Sequence, residues 1–309
     1  RYQRSEQALV LAMMEMVING VSTRKVEIIT EELCGKKFSK STVSALCKKL
    51  DPIIEAFRTR PLKCHYPFVV VDAIYVKVRE NGRIRSRGLL IAIGINEEGY
   101  REVIGFQLAN SESESCWGEF FSSLKERGLK NVDLVTSDDH KGLVNAVKRH
   151  FQGAGWQRCQ THFSKNILDH TPKTLQPELK EELCQIYEAV DLESARSIRD
   201  RIIQTYEAKA PKATAILDEA FDDITAVLAL PLKYRKRLRT TNSVERLNQE
   251  IRRRERVIRI FPNAASVIRL MGALLMEQDE RWQTGRKYFD MQLYYQIRNE
   301  KNMKPGTAA

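Results

Sequence analysis

The order of hydrophobic periodicities between residues 68 and 160 constrains this chain more than any other feature. Residues 68–78, Phe-Val-Val-Val-Asp-Ala-Ile-Tyr-Val-Lys-Val, read as a strand that runs into Asn81-Gly82, a dipeptide favoured in two-residue hairpin turns. Two further strand patterns follow at 88–95 and 101–108, separated by polar residues ending at Gly99. Helical spacing takes over at about 113–127, a strand pattern returns at 132–136, a helix is expected at 140–151, and a short strand at 156–160. Three antiparallel strands followed by alternating helices and strands call for a mixed sheet covered by helices.

That element order is the order of a ribonuclease H-like core. The expected fold class is therefore α/β: a ribonuclease H-like mixed sheet, interrupted by an all-helical insertion and preceded by a helical head. The first part of the core spans 61–161. The insertion is expected at 162–230, where the pattern is amphipathic, acidic and strandless. The core resumes over 231–300, helical from about 242 onward, and 301–309 reads as a frayed tail. The head, 1–60, holds three helices: one capped by Ser5, one by Ser22 or Thr23 and ending at Gly35, and one capped by Ser39. The third buries Val43, Leu46, Cys47 and Leu50 and turns Lys40, Ser41, Thr42 and Lys48 outward. Two short helices with a polar, basic second member resemble a helix-turn-helix that reads DNA. A small bundle with a solvated face fits the same pattern.

Composition enters through charge. The chain has 51 Lys and Arg against 40 Asp and Glu, a net +11, and residues 231–260 alone hold eleven basic residues against three acidic ones. A focused basic patch on a balanced chain points to a polyanion, nucleic acid before membrane. No stretch approaches the roughly 18 apolar residues of a membrane span. Six scattered cysteines without a C-x-x-C pair suggest a reducing, cytoplasmic setting. The start at Arg1, without initiator Met or apolar leader, reads as a fragment or processed form.

Asp72 is the sole carboxylate in its apolar strand. There it is costly unless paired or bound to a metal; an edge-strand Asp facing solvent is the alternative. Asp138 and Asp139 follow the fourth strand at its C-terminal end, where open α/β sheets bind ligands, although Ser-Asp-Asp also caps helices well. Glu245 shares a helical stripe with Asn242, Asn248 and Arg252, beside the apolar stripe of Val244, Leu247 and Ile251. A surface Glu on a charged helix reads the same way. Arg252, Arg253 and Arg256 form a candidate phosphate track, extended by Lys233, Arg235, Lys236 and Arg237, unless Glu250 and Glu255 simply pair with them. Cys159-x-x-His162 is half a zinc site, with no second ligand pair in the sequence. His140 could contact phosphate or begin a helix.

Four ordered motifs then carry a family resemblance: Val71-Asp72-Ala73-Ile74-Tyr75-Val76-Lys77-Val78-Arg79, Ser137-Asp138-Asp139-His140-Lys141-Gly142-Leu143, Cys159-Gln160-Thr161-His162, and Asn242-Ser243-Val244-Glu245-Arg246-Leu247-Asn248. Together they resemble the Mutator-like bacterial insertion-sequence transposases over about 21–282. The resemblance implies an Asp-Asp-Glu transposase with Asp72, Asp138 and Glu245 as catalytic, metal-binding carboxylates and Asp139 at a variable position. Cys159, His162, His140, Asn242 and Asn248 are then positioning residues. Three carboxylates can hold two Mg²⁺ ions, with Mn²⁺ able to substitute, for in-line displacement at phosphorus. The expected partners are DNA, both terminal inverted repeats and target, and a second copy of the chain, because paired ends and two half-sites suit a homodimer in the bacterial cytoplasm. A catalytically inactive DNA-binding repressor derived from such an enzyme, or a ribonuclease H-like nuclease or resolvase, are the alternatives.

Overall fold

The structure is a computed structural model that describes residues 2–35 and 37–303. The head contains α1 (Tyr2–Ile18), α2 (Thr23–Cys34), α3 (Lys40–Cys47) and α4 (Asp51–Thr59). Ser22 caps α2 by accepting from the Lys25 amide, and Ser39 caps α3 by accepting from Thr42. Gly35 ends α2 at φ 64°, a left-handed conformation that costs glycine little. Ser5 lies inside α1, whose helix already begins at Tyr2, so it is not the expected cap. Met13, Val26 and Val43 form the small core that joins α1, α2 and α3.

Strands β1 (Phe68–Glu80) and β2 (Arg83–Ile95) pair antiparallel along their whole length. Asn81 and Gly82 between them both take positive φ, 49° and 75°, as the two-residue turn requires. β3 (Arg101–Ala109) continues the meander; α5 (Glu114–Glu126) leads to β4 (Leu134–Ser137), and α6 (Lys141–His150) leads to β5 (Gly155–Arg158). The sheet order is β3-β2-β1-β4-β5, with β4 parallel to β1 and β5 parallel to β4. A mixed five-stranded sheet was expected, but its hairpin is longer than the apolar pattern suggested: β2 begins at Arg83 rather than at 88, and its mostly polar, largely exposed first residues carry no apolar strand signal.

Helices cover both faces. α5 and α6 pack Trp117, Phe121, Leu143 and Val147 against Val69, Val71 and Leu90. A helical stretch follows β5: α7 (Gln160–Asp169), α8 (Gln176–Tyr187), α9 (Leu192–Tyr206), α10 (Pro211–Glu219) and α11 (Phe221–Thr225), packed around a core of their own. The chain returns through α12 (Leu232–Leu238), α13 (Asn242–Ile258), α14 (Ala264–Thr284) and α15 (Gln292–Met303). Val244, Leu247, Ile251 and Met271 meet Phe68, Val70 and Ile74 on the second sheet face. Two helical expectations need correction. The basic stretch is already helical at α12. The tail is broken between α14 and α15, where Phe289 and Met291 are buried in the sheet core and the Tyr288 and Phe289 amides donate to Gly99 O. Of the expected frayed tail, 301–303 still belong to α15 and 304–309 lie outside the described residues.

Candidate active site

The parallel pairing of β1 with β4 aligns Phe68 with Leu134 and Val70 with Thr136. One further two-residue step along each strand reaches Asp72 and Asp138, so the two carboxylates leave adjacent strands on the same face of the sheet. That face is the one α13 covers. The helix is seated at its N-terminus through α12: Thr136 donates its hydroxyl to Leu238 O (2.7 Å), and the Gln160 amide donates to Arg239 O (3.0 Å). The Thr241 amide and hydroxyl both reach the Cys159 sulfur at 3.4 Å, and the Thr161 hydroxyl donates to Asn242 Oδ1 at 3.4 Å. From there α13 runs alongside β1. Asn248 Nδ2 donates to Asp72 Oδ2 (2.6 Å), and one turn on, Arg252 Nη1 donates to Tyr75 O (2.8 Å).

Glu245 lies on this same polar stripe, half-buried, one turn before Asn248. Asp72, Asp138, Asn248 and His162 are thus in direct contact or adjacent, with Glu245 on the helix that closes over them. The described residues hold no group of three or more His, Cys, Asp or Glu arranged to hold a metal ion.

Asp72 accepts a second hydrogen bond from the Ala73 amide (2.8 Å). Burial nonetheless pushes its carboxyl up to about 6, the Asp138 charge adding to the rise while the Ala73 and Asn248 donors oppose it. His162 Nδ1 sits 2.9 Å from Asp138 Oδ1. The contact is an ion pair rather than an aligned hydrogen bond, since neither atom has a directed partner. The Asp138 carboxylate, and then Cys159, drive the imidazole up to about 11, so His162 is a cation here. Cys159 is fully buried; burial works against its thiolate, but His162 and Thr241 outweigh it and draw the thiol down. The C-x-x-H pair thus forms one network with Asp138 and the start of α13.

Asp139, the other half of the Asp-Asp dipeptide, points elsewhere and pairs with Arg158 (2.8 Å). His140 occupies the residue before α6, exposed, with Nδ1 3.8 Å from Glu112 Oε2. Glu112 was not singled out by sequence. It stands in the link from β3 to α5; burial raises its carboxyl, His140 lowers it, and Tyr75 hydrogen-bonds it. Gly142 lets α6 approach this link, since a Cβ there would stand 2.5 Å from Glu112 O. Nothing in Ser111-Glu112-Ser113 distinguishes that Glu from a loop residue in a single sequence.

The expected DNA-contacting residues fall into two groups. Lys40, Ser41, Thr42 and Lys48 are exposed on the head, the Ser41 and Thr42 hydroxyls bonded to Ser39 Oγ. On α13, Arg252 pairs with Glu255 and Arg253 with Glu250, while Arg256 is exposed with no side-chain partner among the described residues. Of the α12 cations expected to extend the track, Lys236 is exposed with no side-chain partner among the described residues, whereas the other three are engaged within the chain. Arg235 donates to the carbonyls of Leu230, Ala189 and Val190, Arg237 donates to Tyr288 O, and Lys233 pairs with Asp290. These three cations tie the helical stretch and the 285–291 segment to α12, which uses their donors internally.

The sequence profile described as "Transposase, Mutator family" matches residues 1–285. Among curated relatives, the transposase for insertion sequence element IS256 in transposon Tn4001 of Staphylococcus aureus is 46% identical over 294 residues, covering 94% of this chain and 75% of that one. The transposase for ISRM5 of Rhizobium meliloti is 44% identical over 291 residues, covering 94% and 73%. The transposase for IS1081 of Mycobacterium tuberculosis is 43% identical over 299 residues, covering 96% and 72%.

Proposed function

This chain belongs to the Mutator family of transposases, and we propose that it cuts and joins DNA strands at the ends of an insertion sequence by metal-dependent phosphoryl transfer. The observation that carries the reading is the pairing of Asp72 with Asp138 under a helix whose Asn248 grips Asp72 and whose Glu245 stands one turn away. The sheet order and the strandless helical stretch between β5 and α12 support a ribonuclease H-like core with an insertion before the Glu helix.

The donor chemistry fits divalent cations. Asp72 and Asp138 offer hard oxygen atoms side by side, and Asp138 Oδ1 is buried without a directed hydrogen bond. Asp72, Asp138 and Glu245 would hold two Mg²⁺ ions, or Mn²⁺, whose chemistry there would be to activate a water or 3′-hydroxyl and to offset charge on the leaving oxygen. The chain's other residues serve that set. Asn248 fixes the Asp72 carboxylate, His162 fixes Asp138 as a cationic neighbour, and Cys159 with Thr241 holds His162 to the start of α13. Asp139 stays on Arg158 and takes no part.

α2 and α3 serve as a helix-turn-helix that reads the terminal inverted repeat through Lys40, Ser41, Thr42 and Lys48, while Arg252, Arg253 and Arg256 hold phosphates beside the cut. Two ends synapsed for joining call for a dimer. The test is to incubate the chain with labelled element ends, an unlabelled target duplex and Mg²⁺. Nicked ends together with strand-transfer products are expected. Hydrolysis without joining would replace this reading with a nuclease, and binding without cleavage would replace it with a repressor.

A further inference from the structure

We infer that the outer half of the β1–β2 hairpin is a third DNA-gripping element, rigid and basic, that holds backbone phosphates well away from the cut. The inference rests on the transposase reading and adds a surface to it. β4 pairs with β1 only over Phe68–Val70, and β3 joins β2 only from Gly88 on. The rest of the hairpin projects as a two-stranded ribbon. Lys77 and Arg79 point to one face of it and Arg83 and Arg85 to the other; all four are exposed, and none has an ion pair or side-chain hydrogen bond among the described residues. The ribbon's one acid, Glu80, is already paired with Arg87.

Two-stranded ribbons are marginal alone, and like charges on one ribbon repel. This one is braced. The Arg79 amide donates to Phe261 O, the Phe261 amide donates to Lys77 O, both at 2.8 Å, and Arg252 donates to Tyr75 O. Val76, Val78 and Phe261 are fully buried beneath it. A stiff ribbon with four unpaired cations is a poor solvated loop and a good phosphate support. Arg83 and Arg85, with Ser86 and Asn110, line a concavity of about 580 Å³ on one side. The brace also sets its position. Arg79 is seven residues along the strand from Asp72, about 23 Å at roughly 3.3 Å per residue. For DNA lying along β1, at about 3.4 Å per nucleotide along one strand, the ribbon would meet phosphates about six to eight nucleotides from the one being cut.

The experiment compares the whole chain with the double variants Arg83→Ala/Arg85→Ala and Arg83→Lys/Arg85→Lys on a duplex that extends at least 15 nucleotides (about 50 Å, or roughly six Debye lengths at 0.15 M salt) to both sides of the cleavage site. Two measurements are taken: the slope of log affinity against log salt, and hydroxyl-radical protection of the backbone. The alanine pair should flatten the slope by about 2, since each phosphate contact contributes about 0.9. It should also erase protection about six to eight nucleotides from the cut while the head's footprint on the repeat persists. The lysine pair should keep both. A wild-type chain that cuts its ends, with an alanine pair that shows the same slope and footprint, would overturn the hairpin assignment alone. A wild-type chain that neither binds nor cuts those ends would overturn the transposase reading, and this inference with it.

Discussion

α13 and α9 are both amphipathic helices with charged outer faces, yet only one of them belongs to the candidate site. α9 buries Ala195, Ile202 and Tyr206 among the surrounding helices and uses its polar residues locally: Arg199 pairs with Asp200 and Asp218, and Arg201 reaches Gln185. α13 buries Val244, Leu247 and Ile251 in the same way, but its polar stripe touches residues far away in sequence, Asp72 and Tyr75 on β1. The difference is not in periodicity or charge. It lies in what the polar stripe covers: solvent and neighbouring helices in one case, a strand carrying a buried carboxylate in the other. A polar face becomes a site when the surface beneath it cannot satisfy its own polar groups.

The largest consequence falls on the carboxylates. Asp72→Asn, Asp138→Asn and Glu245→Gln should each reduce cleavage and joining to background while DNA binding survives. Asp139→Asn should retain most activity, because that carboxylate is engaged by Arg158. An inactive Asp139 variant beside an active Asp138 variant would shift the second carboxylate by one residue. Next comes Asn248→Ala, which removes the donor that holds Asp72. Loss of such an orienting partner should lower cleavage about 10–100-fold and raise the Mg²⁺ needed for half-maximal rate. An unchanged metal requirement would mean that Asn248 orients nothing at the site, like the polar side chains of α9.

The same buried carboxyl makes a prediction about stability. Asp72 sits at about 6 in the folded chain against an ordinary 3.8, so the folded state favours its protonated form. That stabilisation is complete below about pH 4 and is lost as pH rises through about 6. Asp72→Asn cannot ionise, and in chelator it should be more stable than wild type at pH 7.5, by at most about 3 kcal/mol, with no such gain at pH 4. Urea titrations at the two pH values measure this, and equal gains at both would remove the burial argument. Smaller again, Arg252→Ala should flatten the salt dependence of DNA binding by about 1, whereas Arg196→Ala on α9, exposed and without a partner among the described residues, should leave the slope unchanged and shift stability by no more than about 0.5 kcal/mol. Equal effects of the two substitutions would erase the contrast between the helices.

Much of this was legible in sequence because it depends on local order. The strand order, the Asn81-Gly82 turn, the Ser22 and Ser39 caps and the strandless 162–230 stretch each follow from short-range periodicity or turn chemistry. Asp72 stood out for the same reason, as a charge inside an apolar run. What escaped depends on packing at long range. The polar start of β2 hid half a hairpin that is supported by Phe261, far along the chain. Arg235 and Arg237 looked like free surface cations until backbone carbonyls from other segments met them. Glu112 has no local signal at all, and only the fold brings it beside Tyr75 and His140.

If Asp72, Asp138 and Glu245 converge on shared metal, a reactive ion bound there will mark all three. Replacing Mg²⁺ with Fe²⁺, then adding ascorbate and peroxide, generates hydroxyl radicals at the bound ion that cut the polypeptide nearby. Chain cleavage should cluster around residues 72, 138 and 245, be suppressed by excess Mg²⁺ and be absent from Asp72→Asn. Cleavage at 72 and 138 without any at 245, or a pattern unaffected by Asp72→Asn, would contradict that convergence.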